Sequence, residues 1–163
     1  MKPSRALLFF FCFLAHTGCA SGRGYQRAAP GELPANRPDW NVQESPHYAE
    51  LKREYGKGLS YEKAKIKYLL GETGRSPYQF DRNGWVYGGQ RTAAHLRKKY
   101  MQRMAQVKTA QDFIDKVASI STESGKPYLA LPGDGKAYRT GDLLNHELRR
   151  LETFMDEHHS SSA

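Results

Sequence analysis

One stretch of the sequence concentrates side chains that could recognise or transform a charged molecule. Residues 80–100, FDRNGWVYGGQRTAAHLRKKY, contain five arginines and lysines, one histidine and four aromatic residues. The planar guanidinium of arginine suits phosphate and carboxylate groups, and histidine titrates near neutral pH, where it can act as a general acid or base. The chemistry open to this stretch is therefore anion recognition or proton transfer.

A second polar stretch, residues 119–128 with the sequence SISTESGKPY, supplies further candidates. A catalytic arrangement would pair His95 with Ser121 or Lys126, as in general-base activation of a nucleophile. The stretch is not a phosphate-binding loop, because that motif requires serine or threonine after the lysine and Pro127 stands there. The candidate ligand-binding residues are Arg82, His95, Lys99, Lys126 and Tyr128.

Structural roles compete with these functional ones. Arg82 can stack on the indole of Trp85, which would account for it without any ligand. Arg97 falls inside an apolar helical stripe, where a buried guanidinium would need an acidic partner. The candidate partners are Asp112, Asp115, Asp142 and Glu147. The residues assigned structural roles are Asn83, Gly84, Trp85, Arg97, Gly125 and Pro127.

A hairpin and a helix should position the first stretch. Asn83-Gly84 between aromatic runs predicts a two-residue hairpin turn, which would place Arg82 opposite Trp85. The following helix is predicted to bury a stripe that His95 faces away from, towards water or another layer. The residues of that stripe are Ala93, Leu96, Tyr100, Met104 and Val107, widened by Ala94 and Met101.

The remaining pattern predicts one α+β domain over residues 47–157. Helical periodicity recurs on both sides of the hairpin, and Thr109 with Asp112 predicts a capped helix that Gly125 ends. PYLAL, residues 127–131, is typical of a short strand and PGDG of a turn. We therefore expect four or five helices packed on a small antiparallel sheet, made by the hairpin and one further strand.

The first residues predict export. Lys2 and Arg5 precede a short apolar run, the pattern of a signal peptide, over residues 1–18. HTGCAS resembles the cleavage box of bacterial lipoproteins, which predicts an acyl lipid on Cys19, and cleavage after Ala20 is the alternative. Proline-rich residues 19–46 predict a disordered tether, and residues 158–163 a frayed tail.

Charge and compartment together limit the partners. The formal net charge is +8, and without Lys2 and Arg5 the chain keeps 23 basic against 17 acidic residues, or +6. An exported basic protein meets acidic envelope components rather than nucleic acid. We therefore expect a lipid anchor in the membrane and an acidic envelope ligand or another envelope protein, with no metal or cofactor. The predicted location is the outer membrane facing the periplasm, and the alternative is a soluble periplasmic protein.

Three motifs in their order, RNGWVYGGQRTAAHLRKKY, TAQDFIDKVAS and SISTESGKPYLAL, resemble the YfeK-like family of small exported bacterial proteins. The similarity runs from about residue 66 to residue 150, and it implies a domain of unknown function. The family pattern falls here on Arg82, Asn83, Gly84, His95, Leu96, Arg97, Lys99, Ser121, Gly125, Lys126, Pro127 and Tyr128.

Three functions remain open on the sequence. The leading hypothesis is a non-enzymatic binding or structural module that presents a basic surface to the envelope. The first alternative is an envelope hydrolase or transferase that uses His95 with Ser121 or Lys126. The second is a protein inhibitor or assembly partner, for which an exposed aromatic patch at Trp85 and Tyr87 would be the sign.

Overall fold

The computed structural model describes residues 24–38 and 40–160. The predicted signal peptide and Cys19 lie outside the described residues, as do residues 161–163. Among the described helices, none combines the length and the apolar character needed to cross a bilayer.

The described part of the chain contains five α-helices and five strands, which confirms the predicted α+β class. The helices are α1 (Tyr48–Glu54), α2 (Leu59–Arg75), α3 (Gly89–Arg103), α4 (Ala110–Phe113) and α5 (Thr140–Ser160). The strands are β1 (Gln26–Arg27), β2 (Gln79–Arg82), β3 (Trp85–Gly88), β4 (Leu129–Leu131) and β5 (Lys136–Arg139). A 3-10 turn, Met104–Gln106, follows α3, and a π-helical segment, Ile114–Ala118, continues α4.

The sheet is larger than the predicted one and has mixed strand directions. Its strand order is β1-β5-β4-β2-β3, and β1 pairs with β5 in parallel while the other neighbours are antiparallel. β5 was not predicted, because Lys136–Arg139 is short and lacks an apolar run. The turn between β4 and β5 passes through Gly133 and Gly135, both with positive φ, as PGDG predicted.

The β2–β3 hairpin forms in the predicted register. Asn83 and Gly84 adopt φ values of 56° and 89°, the left-handed conformation that a two-residue hairpin turn requires. Arg82 pairs with Trp85, and Phe80 with Tyr87. The α3 helix begins at the residue that follows β3, so no linker separates the hairpin from α3.

Helix α2 lies at the centre of the main core. Tyr68, Leu69 and Ile66 are at most 1% exposed, and α2 packs with α3, with α4 and with α5. A smaller cluster, formed by Tyr78, Phe80, Ala130, Tyr138 and Leu143, joins the sheet to the start of α5.

The predicted tether over 19–46 requires a correction in its described part. Residues 26–27 add a strand to the sheet, and Val42 is 1% exposed within the main core. Ser45 donates a hydrogen bond to the buried carboxylate of Glu72. The described part of this proline-rich segment is therefore irregular but packed, because apolar residues between its prolines, such as Val42, are buried in the core.

Two helix ends also differ from the prediction. The capping box of α4 is present, with Thr109 and Asp112 each binding the other's backbone, but the helical segment ends at Ala118 rather than at Gly125. Gly125, with φ of +67°, lies in the exposed loop that follows. At the C-terminus, α5 continues into the predicted tail, where His158 stacks on Phe154 and His159 on Tyr55.

Candidate functional site

The buried face of α3 is rotated relative to the predicted stripe. Arg97 is exposed, so the predicted buried ion pair is wrong, and Met101 is 65% exposed. Lys99 instead is 5% exposed. The reason is that α3 contacts α2 on one side and the 114–118 segment on the other, so the face between these two contacts is covered. A lysine stem can line that face while its ammonium reaches polar groups beyond it.

The ammonium of Lys99 holds the loop after the π-helical segment. It donates to the carbonyl oxygens of Val117 at 2.7 Å and Ile120 at 2.6 Å. It also lies 5.1 Å from the ring centroid of Tyr128, a cation–π contact. Lys99 was predicted to bind a ligand on a basic surface, but its ammonium group instead binds backbone carbonyl groups of the protein itself.

Arg82 reaches from the hairpin to α3. Its Nη1 lies 2.6 Å from Nδ1 of His95, and its guanidinium lies 5.4 Å from the ring centroid of Tyr87. Arg91 covers the same ring at 4.7 Å. Trp85, the predicted stacking partner of Arg82, is 67% exposed at the end of the hairpin. In the hairpin register, Tyr87 lies diagonally across from Arg82, a distance that long side chains can span. The predicted register therefore offered Tyr87 as a second stacking partner, which the sequence analysis did not consider.

The contacts of His95 fix the position of its proton. An arginine donates and never accepts, so Nδ1 accepts from Arg82 and the neutral ring carries its proton on Nε2. Nε2 lies 3.3 Å from the hydroxyl of Tyr128. His95 therefore donates to Tyr128, and both of its ring nitrogens are engaged.

The hairpin also contacts the loop. The Tyr128 hydroxyl lies in the same cavity as Ser121, whose oxygen accepts from Asn83 Nδ2 at 3.1 Å. Ser124 in turn donates to Asn83 Oδ1 at 2.5 Å. Polar contacts from two hairpin residues thus join the hairpin to α3 and to the loop: Arg82 reaches Tyr128 through His95, and Asn83 contacts Ser121 and Ser124.

The loop between Ser119 and Tyr128 is closed on itself. Ile120 and Pro127 form an isolated antiparallel bridge, and the backbone N–H of Ser121 donates to Lys126 O at 2.8 Å. Ser121 is 3% exposed. Its hydroxyl oxygen accepts from the backbone of Glu123 and Ser124, at 3.3 and 3.4 Å, so this serine helps to fold the loop.

Two adjoining cavities share Arg82, His95, Lys98 and Tyr128, and we call them together the basic cleft. The first, of about 340 Å³, lies against the hairpin and includes Arg91 in its lining. The second, of about 370 Å³, lies against the loop. Each described lining contains three arginines or lysines and one carboxylate. The cations are Arg82, Arg91 and Lys98 in the first and Arg82, Lys98 and Lys99 in the second.

The carboxylate of the first cavity already has partners. Asp81 is 6% exposed, and its side chain accepts from the backbone of Gly84 at 2.7 Å and from the hydroxyl of Tyr25. Its charge is therefore held by the hairpin turn and by the N-terminal segment. The remaining carboxylate, Glu123, lies on the exposed loop. The cleft as a whole favours negatively charged ligands.

Burial and crowding of cations shift the pKa values of the cleft. Burial first, and then Arg82, Lys99 and Lys98, lower the pKa of His95. Burial, with Arg103 and Arg82, lowers the pKa of Lys99 to about 8. Burial raises the pKa of Tyr128. At neutral pH the cleft therefore holds a neutral histidine and a protonated tyrosine beside fixed arginine charges.

We expect acidification to weaken the fold through His95. The unfolded chain keeps the ordinary histidine pKa of 6.5, while the folded value is lowered. Between these two values the unfolded chain binds more protons than the folded protein does. The contribution of neutral His95 to the free energy of unfolding is therefore fully present above pH 6.5 and is lost as the pH falls towards the lowered pKa. Urea unfolding at pH 7.5 and pH 5 should show this loss in the wild type and a smaller loss in His95→Gln.

The comparison with His95→Gln isolates this histidine. Glutamine keeps an acceptor for Arg82 but does not titrate. His47 and His146 also have lowered pKa values, mainly through burial, and they contribute equally to both proteins. An identical loss of stability in wild type and variant would contradict the assignment.

The structure brings together most of the candidates from the two stretches. Arg82, His95, Lys99 and Tyr128 are linked by polar and cation–π contacts, and Asn83 binds Ser121 beside them. The turn glycine Gly84 donates to Asp81 instead. Lys126, Gly125 and Arg97 are exposed and lie outside the set of described residues that line the cleft. Arg91 and Lys98, to which the sequence analysis gave no role, line the cleft.

Fold and site together define a small α+β domain with a basic cleft between a hairpin, a helix and a polar loop. The chain matches the family of unknown function DUF5329 over residues 60–152, more than half of its length, and therefore belongs to that family. Every lining residue of the basic cleft lies within that range.

Comparison with curated proteins agrees with this assignment. The chain is 37% identical over 70 residues to the uncharacterized protein YfeK of Salmonella typhimurium (strain LT2). The aligned region covers 42% of this chain and 58% of that protein. The resemblance to YfeK-like proteins is thereby confirmed at the level of a family of unknown function. No solved structure matches the chain.

Proposed function

We propose that this protein is a non-enzymatic binding module of the bacterial cell envelope, and that its basic cleft holds an anionic group of an acidic envelope ligand. The observation that carries the proposal is the arrangement of Arg82 between Tyr87 and His95, with Lys98 shared by both cavities. An anion bound there would meet the guanidinium of Arg82, whose position is already fixed by His95 and Tyr87, which reduces the entropy lost on binding.

The hydroxyl of Tyr128 supports the same function. His95 donates to its oxygen, and burial raises the pKa of Tyr128, so its hydroxyl stays protonated at neutral pH. The proton of Tyr128 then remains to be donated, and an anion in the cleft would accept it. Neutral His95 is necessary for this arrangement, because a protonated ring would repel Arg82.

A matched pair of substitutions on α3 tests the proposal. Lys98→Gln removes a charge that lines both cavities, whereas Arg97→Gln removes an exposed charge one residue earlier and outside the lining. With inorganic pyrophosphate as the probe in isothermal titration calorimetry, we expect Lys98→Gln to weaken binding about three- to tenfold. Arg97→Gln should bind as the wild type does.

The control separates a site from general attraction. Equal weakening by Lys98→Gln and Arg97→Gln would mean that the net positive charge of the surface, rather than the cleft, attracts the probe. That result, or undetectable binding by the wild type at millimolar pyrophosphate, would overturn the proposal.

The hydrolase or transferase alternative receives less support from the geometry. His95 and Ser121 line the same cavity, so the two residues are neighbours as that alternative requires. Both nitrogens of His95 are nevertheless engaged, and Ser121 is buried with its hydroxyl in loop contacts. Activation of Ser121 as a nucleophile would require the loop to open.

The inhibitor or assembly-partner alternative rests on Trp85, which is 67% exposed beside the cleft. Tyr87, the other residue expected in an aromatic patch, is instead covered by Arg82 and Arg91. One exposed aromatic side chain gives a smaller contact surface than the predicted pair.

The envelope location is part of the proposal and rests on the sequence. Removal of a signal peptide before Cys19 and acylation of that cysteine would place the domain on the outer membrane, facing the periplasm. The intact mass of protein extracted from membranes tests this directly. A mass that begins at Cys19 and includes a diacylglycerol supports the anchor, and an unmodified mass that begins after Ala20 supports a soluble periplasmic protein instead.

A further inference from the structure

The positive charge of the protein is concentrated in the hairpin and α3. Between Asp81 and Asp112 the sequence has seven arginines and lysines and no aspartate or glutamate. After residue 18, the rest of the chain keeps 16 of the 23 basic residues against all 17 acidic ones. The net charge of the chain after residue 18 therefore comes from this one segment, which favours an extended anionic surface as its partner.

Helix α3 presents an exposed face that combines cations with apolar side chains. Arg91, Ala94, Lys98 and Met101 recur at spacings of three and four residues, Arg97 lies beside them, and all five are exposed. Met101 is 65% exposed. We call these five residues the α3 face. Cations beside apolar side chains suit the surface of a membrane, where headgroup phosphates lie next to acyl chains.

The hairpin adds an exposed aromatic side chain next to the α3 face. Trp85 pairs with Arg82, so its side chain lies on the face of the hairpin that also carries Tyr87. Arg91 of α3 covers the ring of Tyr87, so the α3 face and this side of the hairpin meet at the basic cleft. Tryptophan is enriched at membrane surfaces, because its ring is apolar and its N–H is polar.

The position of the predicted lipid anchor favours a membrane over other anionic partners. The hydroxyl of Tyr25 donates to Asp81 in β2, so the N-terminal segment contacts the hairpin. Cys19 precedes Tyr25 by six residues, a length of chain that spans about 20 Å at most. An acyl group on Cys19 would therefore hold the hairpin side of the domain near the bilayer.

We propose that the α3 face and Trp85 dock on a bilayer that contains anionic phospholipids. Trp85 and Met101 enter the interfacial region of the bilayer, and Arg91, Arg97 and Lys98 contact headgroup phosphates. One headgroup occupies the basic cleft. The inference rests on the proposed function, because it names a lipid headgroup as the anion that the cleft holds.

Binding to vesicles measures this docking without the acyl group. The chain that begins at Ser21 includes every described residue and lacks Cys19, so its affinity for vesicles comes from the domain. It should sediment with vesicles of phosphatidylcholine that contain about one third phosphatidylglycerol, and not with phosphatidylcholine alone. Tryptophan emission should shift to shorter wavelengths on binding, and Trp85→Ala should abolish the shift.

Trp85→Ala also tests the apolar contribution to the affinity. Loss of the indole should weaken binding to the anionic vesicles about tenfold. The control is Leu59→Ala, because Leu59 is 49% exposed at the start of α2. Its neighbours Tyr55 and Glu62 contact α5 and the start of α4 rather than the hairpin. Leu59→Ala should bind as the wild type does.

Arg97→Gln separates the docking surface from the basic cleft. Arg97 belongs to the α3 face but lies outside the described lining of the cleft. The change should weaken vesicle binding about three- to fivefold and leave pyrophosphate binding intact. Lys63→Gln removes the same charge at an exposed position of α2, and it should leave vesicle binding unchanged.

Three results would overturn the docking surface. These are no binding to the anionic vesicles, equal binding by the wild type and Trp85→Ala, and equal weakening by Arg97→Gln and Lys63→Gln. With pyrophosphate binding intact, each of them would remove the lipid assignment and leave the proposed cleft standing. Undetectable pyrophosphate binding by the wild type would instead overturn the cleft and the headgroup contact within it.

Discussion

Gly89→Ala is expected to be the most damaging small substitution in the described part of the chain. Gly89 begins α3 and lies against the carbonyl groups at the end of α2. A Cβ atom built there would meet Thr73 O first, with Ser76 O at 2.9 Å and Gly74 O at 3.1 Å. These are backbone atoms that cannot rotate away, so α2 and α3 would have to separate. We expect a loss of about 3 kcal/mol or more in the free energy of unfolding.

Gly88→Ala provides the control at the neighbouring residue. Gly88 has φ of −72°, which any residue can adopt, and a Cβ there meets nothing within 4 Å among the described residues. Its stability should stay within about 0.5 kcal/mol of the wild type. Urea unfolding followed by circular dichroism compares the three proteins. Similar stabilities for the two variants would show that α2 and α3 do not pack as closely as described.

Lys99→Met is expected to have the second largest effect. Methionine retains most of the apolar stem but removes both hydrogen bonds to Val117 O and Ile120 O. Each buried carbonyl left unpaired costs about 1 to 3 kcal/mol, partly offset because a buried charge is removed as well. We expect a net loss of about 2 kcal/mol at pH 7 and a loosened 119–128 loop. Hydrogen exchange of the Ser121 and Tyr128 amides would report that loosening.

The pH dependence distinguishes Lys99 from a merely well-packed residue. Its pKa is lowered from 10.5 to about 8 in the folded protein. Between pH 8 and 10.5 the unfolded chain therefore binds more protons, and the free energy of unfolding rises with pH across this window. The wild type should gain stability relative to Lys99→Met between pH 7 and pH 10. Lys98→Met, at an exposed neighbour, should match the wild type at pH 7, and a parallel pH response of all three proteins would contradict the buried ammonium.

The features predicted correctly from the sequence are those set by neighbouring residues. The hairpin register followed from Asn83-Gly84, because a two-residue turn in the left-handed conformation leaves one way to pair the flanking strands. The capping box followed from Thr109 and Asp112 in the same way. Both depend on contacts within a few residues, which sequence spacing records.

The features that were missed depend on distant partners. The β1 strand has two residues and exists because β5, more than a hundred residues later, offers an edge. Val42 is buried because the main core has room for it. No local pattern distinguishes such a segment from a flexible one, so the proline-rich composition of residues 19–46 was misleading in its described part.

By itself, the sequence determined the α+β class, the hairpin, and that Arg82, His95, Ser121 and Tyr128 are the residues to examine. Only the tertiary structure decided how these side chains are arranged and which of them are buried. Because α3 is covered on two sides, the buried face turned towards Lys99 and left Arg97 in solvent. Helical periodicity gives the angle between residues around one axis, but the packing of other elements determines which angles are covered.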